Sequence, residues 1–188
     1  MGKEFELKYA ATPEQQRIFV EEFGSFSEIA METTYYDTTD GAFAARKMTL
    51  RRRLENGISV CTLKAPAGPN CRREFELEAD CIEAALPELC KLADLPTPTA
   101  PLVVVCGARF TRLAKTEDLG ACAVELAVDH GVLLGGGREI PLCEIEVELI
   151  SGSEEAATTF ARYLAQRHGL KPEPKSKFRR ALDLAKKK

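Results

Sequence analysis

The 188-residue sequence predicts an α+β fold built on an antiparallel sheet of about eight strands, closed into a barrel with helices packed outside. Three observations lead there. Successive segments alternate apolar and polar residues with period two, and most are joined as antiparallel neighbours. The polar face of nearly every strand is ionisable, with little Ser, Thr or Gln to dilute it. Amphipathic helices are available to cover the apolar faces if the charged faces turn inward. With 45% hydrophobic and 29% charged residues the chain can build a core, and 1–188 reads as one domain. A net charge of −3 gives no drive toward nucleic acid or an anionic membrane. No stretch approaches the ~18 apolar residues of a membrane span. The start has no apolar signal segment, and the seven cysteines include no CxxC pair, so a reducing cytoplasm is expected.

Residues 4–9, EFELKY, open as a strand with Glu4, Glu6 and Lys8 on one face and Phe5, Leu7 and Tyr9 on the other. Thr12, Pro13 and Gln15 form a helix start with a capping box. That helix should run to about Gly24 and bury Ile18, Phe19 and Phe23. A strand rich in Thr and Tyr follows at 32–37, ending at the turn residues Thr39, Asp40 and Gly41. Asn56-Gly57 between two β-rich runs predicts a hairpin pairing 48–54 with 58–65, and 66–70 form a Pro/Gly loop. A strand at 72–78 precedes a short helix, capped by Asp80 and Glu83, that holds Leu86, Leu89 and Leu92 and that Pro87 should kink or split. Residues 94–101 are an extended connector. Strands follow at about 102–114, 121–129 and 142–149, and Gly135-Gly136-Gly137 reads as a flexible turn. Ser153 opens a helix to His168, stopped by Gly169. Ser176 caps a last helix, and Lys186, Lys187 and Lys188 are read as its solvated end.

The charged face carries the chemistry. It comprises Glu4, Glu6 and Lys8; Arg51, Arg53 and Lys64; Arg72, Glu74, Glu76 and Glu78; Arg112; Glu125 and Asp129; and Glu144, Glu146 and Glu148. On one strand this would be a solvated face. Three glutamates at i, i+2, i+4 set like charges about 7 Å apart, and neighbouring strands bring others closer. Repeated over six strands, the pattern points to a lumen. Clustered carboxylates suit Mg²⁺ or Mn²⁺. Arginine and lysine opposite them suit phosphate oxygens. Together they suit a metal–polyphosphate complex. No GxxxxGK[ST] loop is present, so phosphate chemistry would rest on side chains.

These segments resemble the CYTH domain, the triphosphate tunnel metalloenzyme superfamily. Glu4, Glu6 and Lys8 match its ExExK signature. YYDT at 35–38, LRRRLENG at 50–57, TLK at 62–64, RREFELE at 72–78, ELAVDHG at 125–131, CEIEVEL at 143–149 and KSKFRRAL at 175–182 follow in the family's order. The resemblance implies an eight-stranded antiparallel barrel forming a triphosphate tunnel. It implies metal ligands among Glu4, Glu6, Glu144, Glu146 and Glu148. Phosphate contacts would come from Lys8, Arg51, Arg53, Lys64, Arg72, Arg112 and Lys177. Catalytic roles would fall to Lys8, Glu6, Glu76 and Asp129, with Glu74 a further acid. Some members carry a second, helical domain, which is expected either to be absent or to lie outside residues 1–188. The activity expected is hydrolysis of tripolyphosphate with Mg²⁺ or Mn²⁺. Adenylate cyclase, thiamine or nucleoside triphosphatase, and a non-catalytic polyphosphate-binding module are the alternatives. A lipocalin-like carrier would need the reverse, an apolar lumen.

Strand parity sets Arg112, rather than Arg109, in the lumen and Arg52 outside it. His130 is read as a turn residue without a catalytic role. His168 is read as a cation at a helix C-terminus. Cys61 and Cys143 are read as buried small residues.

Overall fold

The structure, a computed structural model, describes residues 2–69 and 71–186. Asn70 of the expected loop and Lys187 and Lys188 of the expected tail lie outside the described residues. The long strands in chain order are β1 (Gly2–Ala10), β2 (Ser27–Thr38), β3 (Thr49–Glu55), β4 (Ile58–Pro66), β5 (Cys71–Glu78), β6 (Leu102–Asp118), β7 (Cys122–Gly135) and β8 (Arg138–Gly152). They pair antiparallel in the order β5-β4-β3-β2-β6-β7-β8-β1, and β1 returns to β5 through Glu4↔Arg72 and Gly2↔Glu74. The sheet therefore closes. A two-residue strand, β9 (Lys171–Pro172), pairs with the end of β1.

The hairpin at Asn56-Gly57 forms as the sequence predicts, both residues having positive φ, which matches the turn to the sheet's twist. Several strands are longer than expected. Strand β2 begins at Ser27 rather than residue 32, and β6, β7 and β8 each extend beyond the expected 102–114, 121–129 and 142–149. Gly135-Gly136-Gly137 is a tight hairpin turn closed by Gly135↔Arg138, with Gly136 and Gly137 at positive φ, not a loose loop.

Helix α1 (Pro13–Phe23) has both capping-box bonds between Thr12 and Gln15. It buries Phe19, half-buries Phe23 and, contrary to expectation, leaves Ile18 exposed. Helix α2 (Ala42–Ala45) is a single turn that the sequence reading missed; the Asp37 carboxylate accepts from the backbone N–H groups of Phe43 and Ala44 at its start. Helix α3 (Ile82–Leu92) runs unbroken through Pro87, and its N-cap is Cys81, with no side-chain cap bond from Asp80 or Glu83. Helix α4 (Glu154–His168) starts at Ser153 and stops at Gly169, as expected. Helix α5 (Lys177–Lys186) has its Arg179 N–H bonded to Ser176 Oγ.

Helices α1 and α4 cover the outward side chains of β1, β7 and β8, among them Leu126, Val128, Ile145 and Val147. Helix α3 covers Leu50, Cys61, Leu63 and Phe75 on the outside of β3–β5. Helix α5 is different. It packs Phe178, Ala181 and Leu182 on Met31, Tyr35, Ala108, Phe110, Leu133 and Leu142. Those residues share parity with Arg112, Asp129 and Glu144, so α5 sits within one end of the barrel. That end of the inner face is apolar, because the charged alternation stops after Asp129 and before Glu144.

Gly135 is where α5 and β7 meet most tightly. A Cβ there would lie 2.3 Å from the Ala181 carbonyl oxygen and 2.8 Å from the Ala185 nitrogen, both backbone atoms that no rotamer change can move. Gly135→Ala is expected to destabilise by about 1–3 kcal/mol, through displacement of α5. Thermal melts and limited proteolysis at α5 test this; an unchanged Tm with α5 still protected would contradict the packing described.

Candidate active site

Closure of the sheet turns the ionisable faces toward one cavity of about 720 Å³. Cross-strand pairing places the charges. Glu6 lies opposite Glu148 and Lys8 opposite Glu146 between β1 and β8. Glu125 of β7 lies opposite Glu148. Lys64 faces Glu74, and Arg112 faces Asp129.

One wall is acidic. Oxygens of Glu4, Glu6 and Glu148 lie within 4.8 Å of one another. Lys8 pairs with Glu6, and Lys64 donates to both Glu4 oxygens at 2.8 and 2.9 Å while also pairing with Glu74. Among the described residues, Glu148 has no such cation of its own. Burial and the charges of Glu4, Glu6 and Glu125 push its carboxyl up to about 8, against the opposing pull of Lys64. Burial and like charge raise Glu125 as well, against Arg112. Burial opposes the charge on Lys8, but Glu6 and Glu146 hold its pKa above the ordinary value. Three hard oxygen donors with a proton-retaining member are a donor set that fits a divalent cation.

The facing wall is basic. Arg51 and Arg53 are buried. Arg53 Nε donates to Thr33 Oγ1 at 3.1 Å, and burial together with neighbouring Arg51 and Arg112 pulls its pKa down. A guanidinium with more cations than acids around it favours an anion. Arg51 Nη2 lies 3.5 Å from Glu76, while its Nε, like that of Arg72, is buried without a hydrogen-bond partner among the described residues. Such N–H groups are costly to leave unsatisfied and would suit phosphate oxygens. Glu76 also accepts from Thr62 at 2.8 Å, and its carboxylate is partly open to solvent.

Behind these walls lies a second acidic cluster, Asp129, Glu144 and Glu146, already filled by cations. Lys177 of α5 reaches all three: 2.7 Å from Asp129, 2.8 Å from Glu146, and in contact with Glu144. Arg112 holds Asp129 through two 2.8 Å bonds and Glu146 through one of 2.5 Å. Arg180 pairs with Glu144. Although burial opposes it, Lys177 and Arg112 hold Glu146 well below the usual carboxylate range; burial raises Glu144. Desolvation works against Lys177 too, yet the three acids raise its pKa.

Most residues singled out from the sequence line the cavity: Glu4, Glu6, Lys8, Arg51, Arg53, Lys64, Arg72, Glu74, Glu76, Arg112, Glu146, Glu148 and Lys177. Asp129 and Glu144 are fully buried behind it and touch the cations rather than the open space. Arg109 is outside, paired with Glu139, and Arg52 is outside on Ser59. Cys61 is buried; Cys143 is only partly so. His168 packs edge-on to Phe19 with Nε2 3.5 Å from Glu22.

The sequence reading missed Glu55, Lys175 and Arg179 in the lining and Arg180 behind it. Arg180 stands three residues after Lys177, on the same face of a helix; that spacing was the available signal. It also missed the apolar part of the lining, Ile29, Met31, Tyr35 and Phe178.

The comparisons agree with this geometry. An inorganic triphosphatase from Haemophilus influenzae is 29% identical over 177 residues, covering 87% of this chain and 50% of that protein, so the chain spans about half the length of that curated relative. A Hippeastrum structure, described as a candidate adenylyl cyclase with dominant triphosphatase activity, matches with a TM-score of 0.69 and 18% identity, over 100% of this chain and 98% of that one. A candidate adenylate cyclase from Bacillus halodurans matches at 0.68 and 22%, over 94% and 96%. These two likenesses concern the fold. The CYTH domain pattern itself matches residues 2–182, and with the closed barrel around its charged lumen this places the chain in the CYTH domain family.

Proposed function

We propose that the lumen hydrolyses a triphosphate, with inorganic tripolyphosphate as substrate and phosphate and pyrophosphate as products. The observation that carries this is the opposition, within one cavity, of the undercompensated Glu4–Glu6–Glu148 cluster and the buried guanidiniums of Arg51 and Arg53, with half-buried Arg72 beside Glu4. The name of the Haemophilus relative supports the same reaction.

Glu4, Glu6 and Glu148 would hold Mg²⁺ or Mn²⁺. Such an ion supplies charge neutralisation between acids and phosphate and lowers the pKa of bound water. Glu144 and Glu146 take a different part, since Lys177 already meets their charge. Arg51, Arg53 and Arg72 bind phosphate oxygens, with Lys8 and Arg112 reaching them from the β1 and β6 sides. Glu76, partly open and hydrogen-bonded to Thr62, would orient a water. Asp129 acts by fixing Arg112 and Lys177 rather than by touching substrate. A second reading, an organic triphosphate such as a nucleotide or thiamine triphosphate, is favoured by Ile29, Met31 and Phe178, an apolar stretch that tripolyphosphate does not need. Phosphate release from tripolyphosphate, ATP and thiamine triphosphate in Mg²⁺ and Mn²⁺, with cyclic AMP assayed in the ATP reaction, separates these readings.

Glu6→Gln is expected to lower kcat by roughly 100-fold or more through loss of a ligand. Arg53→Ala should raise KM roughly tenfold or more, with a smaller change in kcat. Steady-state kinetics in both metals check the pair, and unchanged rates in both would remove this site assignment.

Glu148→Gln gives a second prediction. A carboxyl raised to about 8 binds more protons folded than unfolded, so its contribution to stability falls as pH rises from the ordinary carboxylate value toward 8. The neutral amide removes that loss. Without divalent metal, the variant should therefore melt higher than wild type at pH 8 and show a flatter Tm–pH profile. It should also lose most of the Tm increase that Mg²⁺ or Mn²⁺ gives the wild type. An equal metal response in both proteins would take Glu148 out of the metal set.

A further inference from the structure

Gln16 lies on α1, outside the barrel, yet it is 95% buried and satisfies three groups of the wall (relative exposure 5%). Its Nε2 donates to the backbone carbonyl of Asp129 at 2.8 Å and to that of Glu144 at 3.2 Å. Its Oε1 lies 3.2 Å from Nδ1 of His130, which donates in the matching tautomer. Asp129 and Glu144 are direct partners on β7 and β8, and His130 pairs with Cys143 on the adjoining, outward-facing rung.

The rung that Gln16 grips is an unfavourable one. Two buried carboxylates opposite each other repel and push their strands apart. On the inside they are drawn together by Lys177, and Arg112 is anchored on Asp129. On the outside a single amide spans both carbonyls. The helix that carries Gln16 is itself fixed: the capping box sets its start, and Gln15 donates to the carbonyls of His168 and Gly169 at the end of α4, both at 3.0 Å.

We infer that Gln16 is a positioning residue of the lumen: it clamps the Asp129–Glu144 rung from outside and so fixes Arg112 and Lys177, the cations seated on it, for phosphate binding. This rests on the triphosphate reading of the lumen. A residue that only anchored α1 would affect stability alone. A clamp would affect the grip on substrate while leaving the Glu4–Glu6–Glu148 cluster untouched.

The test compares Gln16→Met and Gln16→Leu, which keep much of the volume but lose the amide donor, with Phe19→Leu, a packing change on the same helix. Affinity for the Mg²⁺ complex of imidotriphosphate, a non-hydrolysable triphosphate, is measured by calorimetry, and kcat, KM for tripolyphosphate and the Mg²⁺ activation midpoint are measured in parallel. The Gln16 variants should weaken Kd and raise KM roughly five- to tenfold, with kcat and the metal midpoint within about twofold of wild type. Phe19→Leu should lower Tm and leave Kd unchanged. If the Gln16 variants lower Tm without changing Kd, or if neither folds, Gln16 is a structural anchor and the inference falls. Wild-type protein that neither binds the Mg²⁺–imidotriphosphate complex nor hydrolyses tripolyphosphate would remove the triphosphate reading and this inference together; wild-type binding with unaltered variants would remove this inference alone.

Discussion

The ammonium of Lys177 is the contact on which the closed end of this barrel depends. It reaches Asp129, Glu144 and Glu146, whose oxygens lie within 4.8 Å of one another. Without a cation there, three buried carboxylates on adjacent strands could not all remain charged. Because Lys177 belongs to α5, the same contact seats a helix inside the sheet. The rest of the seat is apolar: the Phe178 ring lies tilted against that of Tyr35 with centroids 5.1 Å apart, and Ala181 packs on Gly135, which leaves room for no side chain. Truncating Lys177 would leave an uncompensated buried charge, so packing and electrostatics at this end stand or fall together.

The barrel solves the same problem differently on its other acidic wall. Glu4, Glu6 and Glu148 are as crowded as the first cluster, but the cations near them are shared: Lys8 between Glu6 and Glu146, and Lys64 between Glu4 and Glu74. The deficit falls on Glu148, whose carboxyl retains its proton up to about pH 8. One cluster is thus sealed by a covalently tethered cation and the other left short of one. An exchangeable ion would fit where the chain has not provided its own charge. Like-charge crowding at that wall works against stability.

The closed barrel and its charged face were legible in the sequence because both follow from period two. Once Glu4, Glu6 and Lys8 share a face, and Arg51 and Arg53 another, antiparallel pairing leaves few ways to combine them. Parity also separated Arg112 from Arg109 and excluded Arg52. The position of α5 was not legible, for a reason contained in the same rule. Ala108, Phe110, Leu133 and Leu142 continue the inward parity of the charged residues, but as apolar residues they look like any core-facing set. Only the register shows that they face inward and must be covered from inside. Strands β7 and β8 outrun the expected 121–129 and 142–149 for the same reason, while β6 outruns 114 through the charged residues Lys115, Glu117 and Asp118. Gln16 gave no signal at all: one glutamine on an amphipathic helix is ordinarily solvated, and its carbonyl partners lie 113 and 128 residues away.

The charge balance of the lumen bears on what it can hold. Nine basic and eight acidic side chains line it, so with every group ionised the cavity is close to neutral. A cavity built only to bind polyphosphate would omit the acids, since each one repels the ligand. With the acids present, a bare polyanion meets little net attraction, and free phosphate meets less. Under the proposed reading, a divalent cation on Glu4, Glu6 and Glu148 would change the balance: it would quiet the acidic wall, lower the proton affinity of Glu148 and turn the remaining excess of Arg and Lys toward phosphate oxygens. Metal and anion would then bind as each other's counter-charge, and selectivity for a metal-complexed chain of phosphates over a single phosphate would follow from that coupling. The acidic residues, which look like an obstacle to an anion site, would be what makes the anion's binding conditional on the metal.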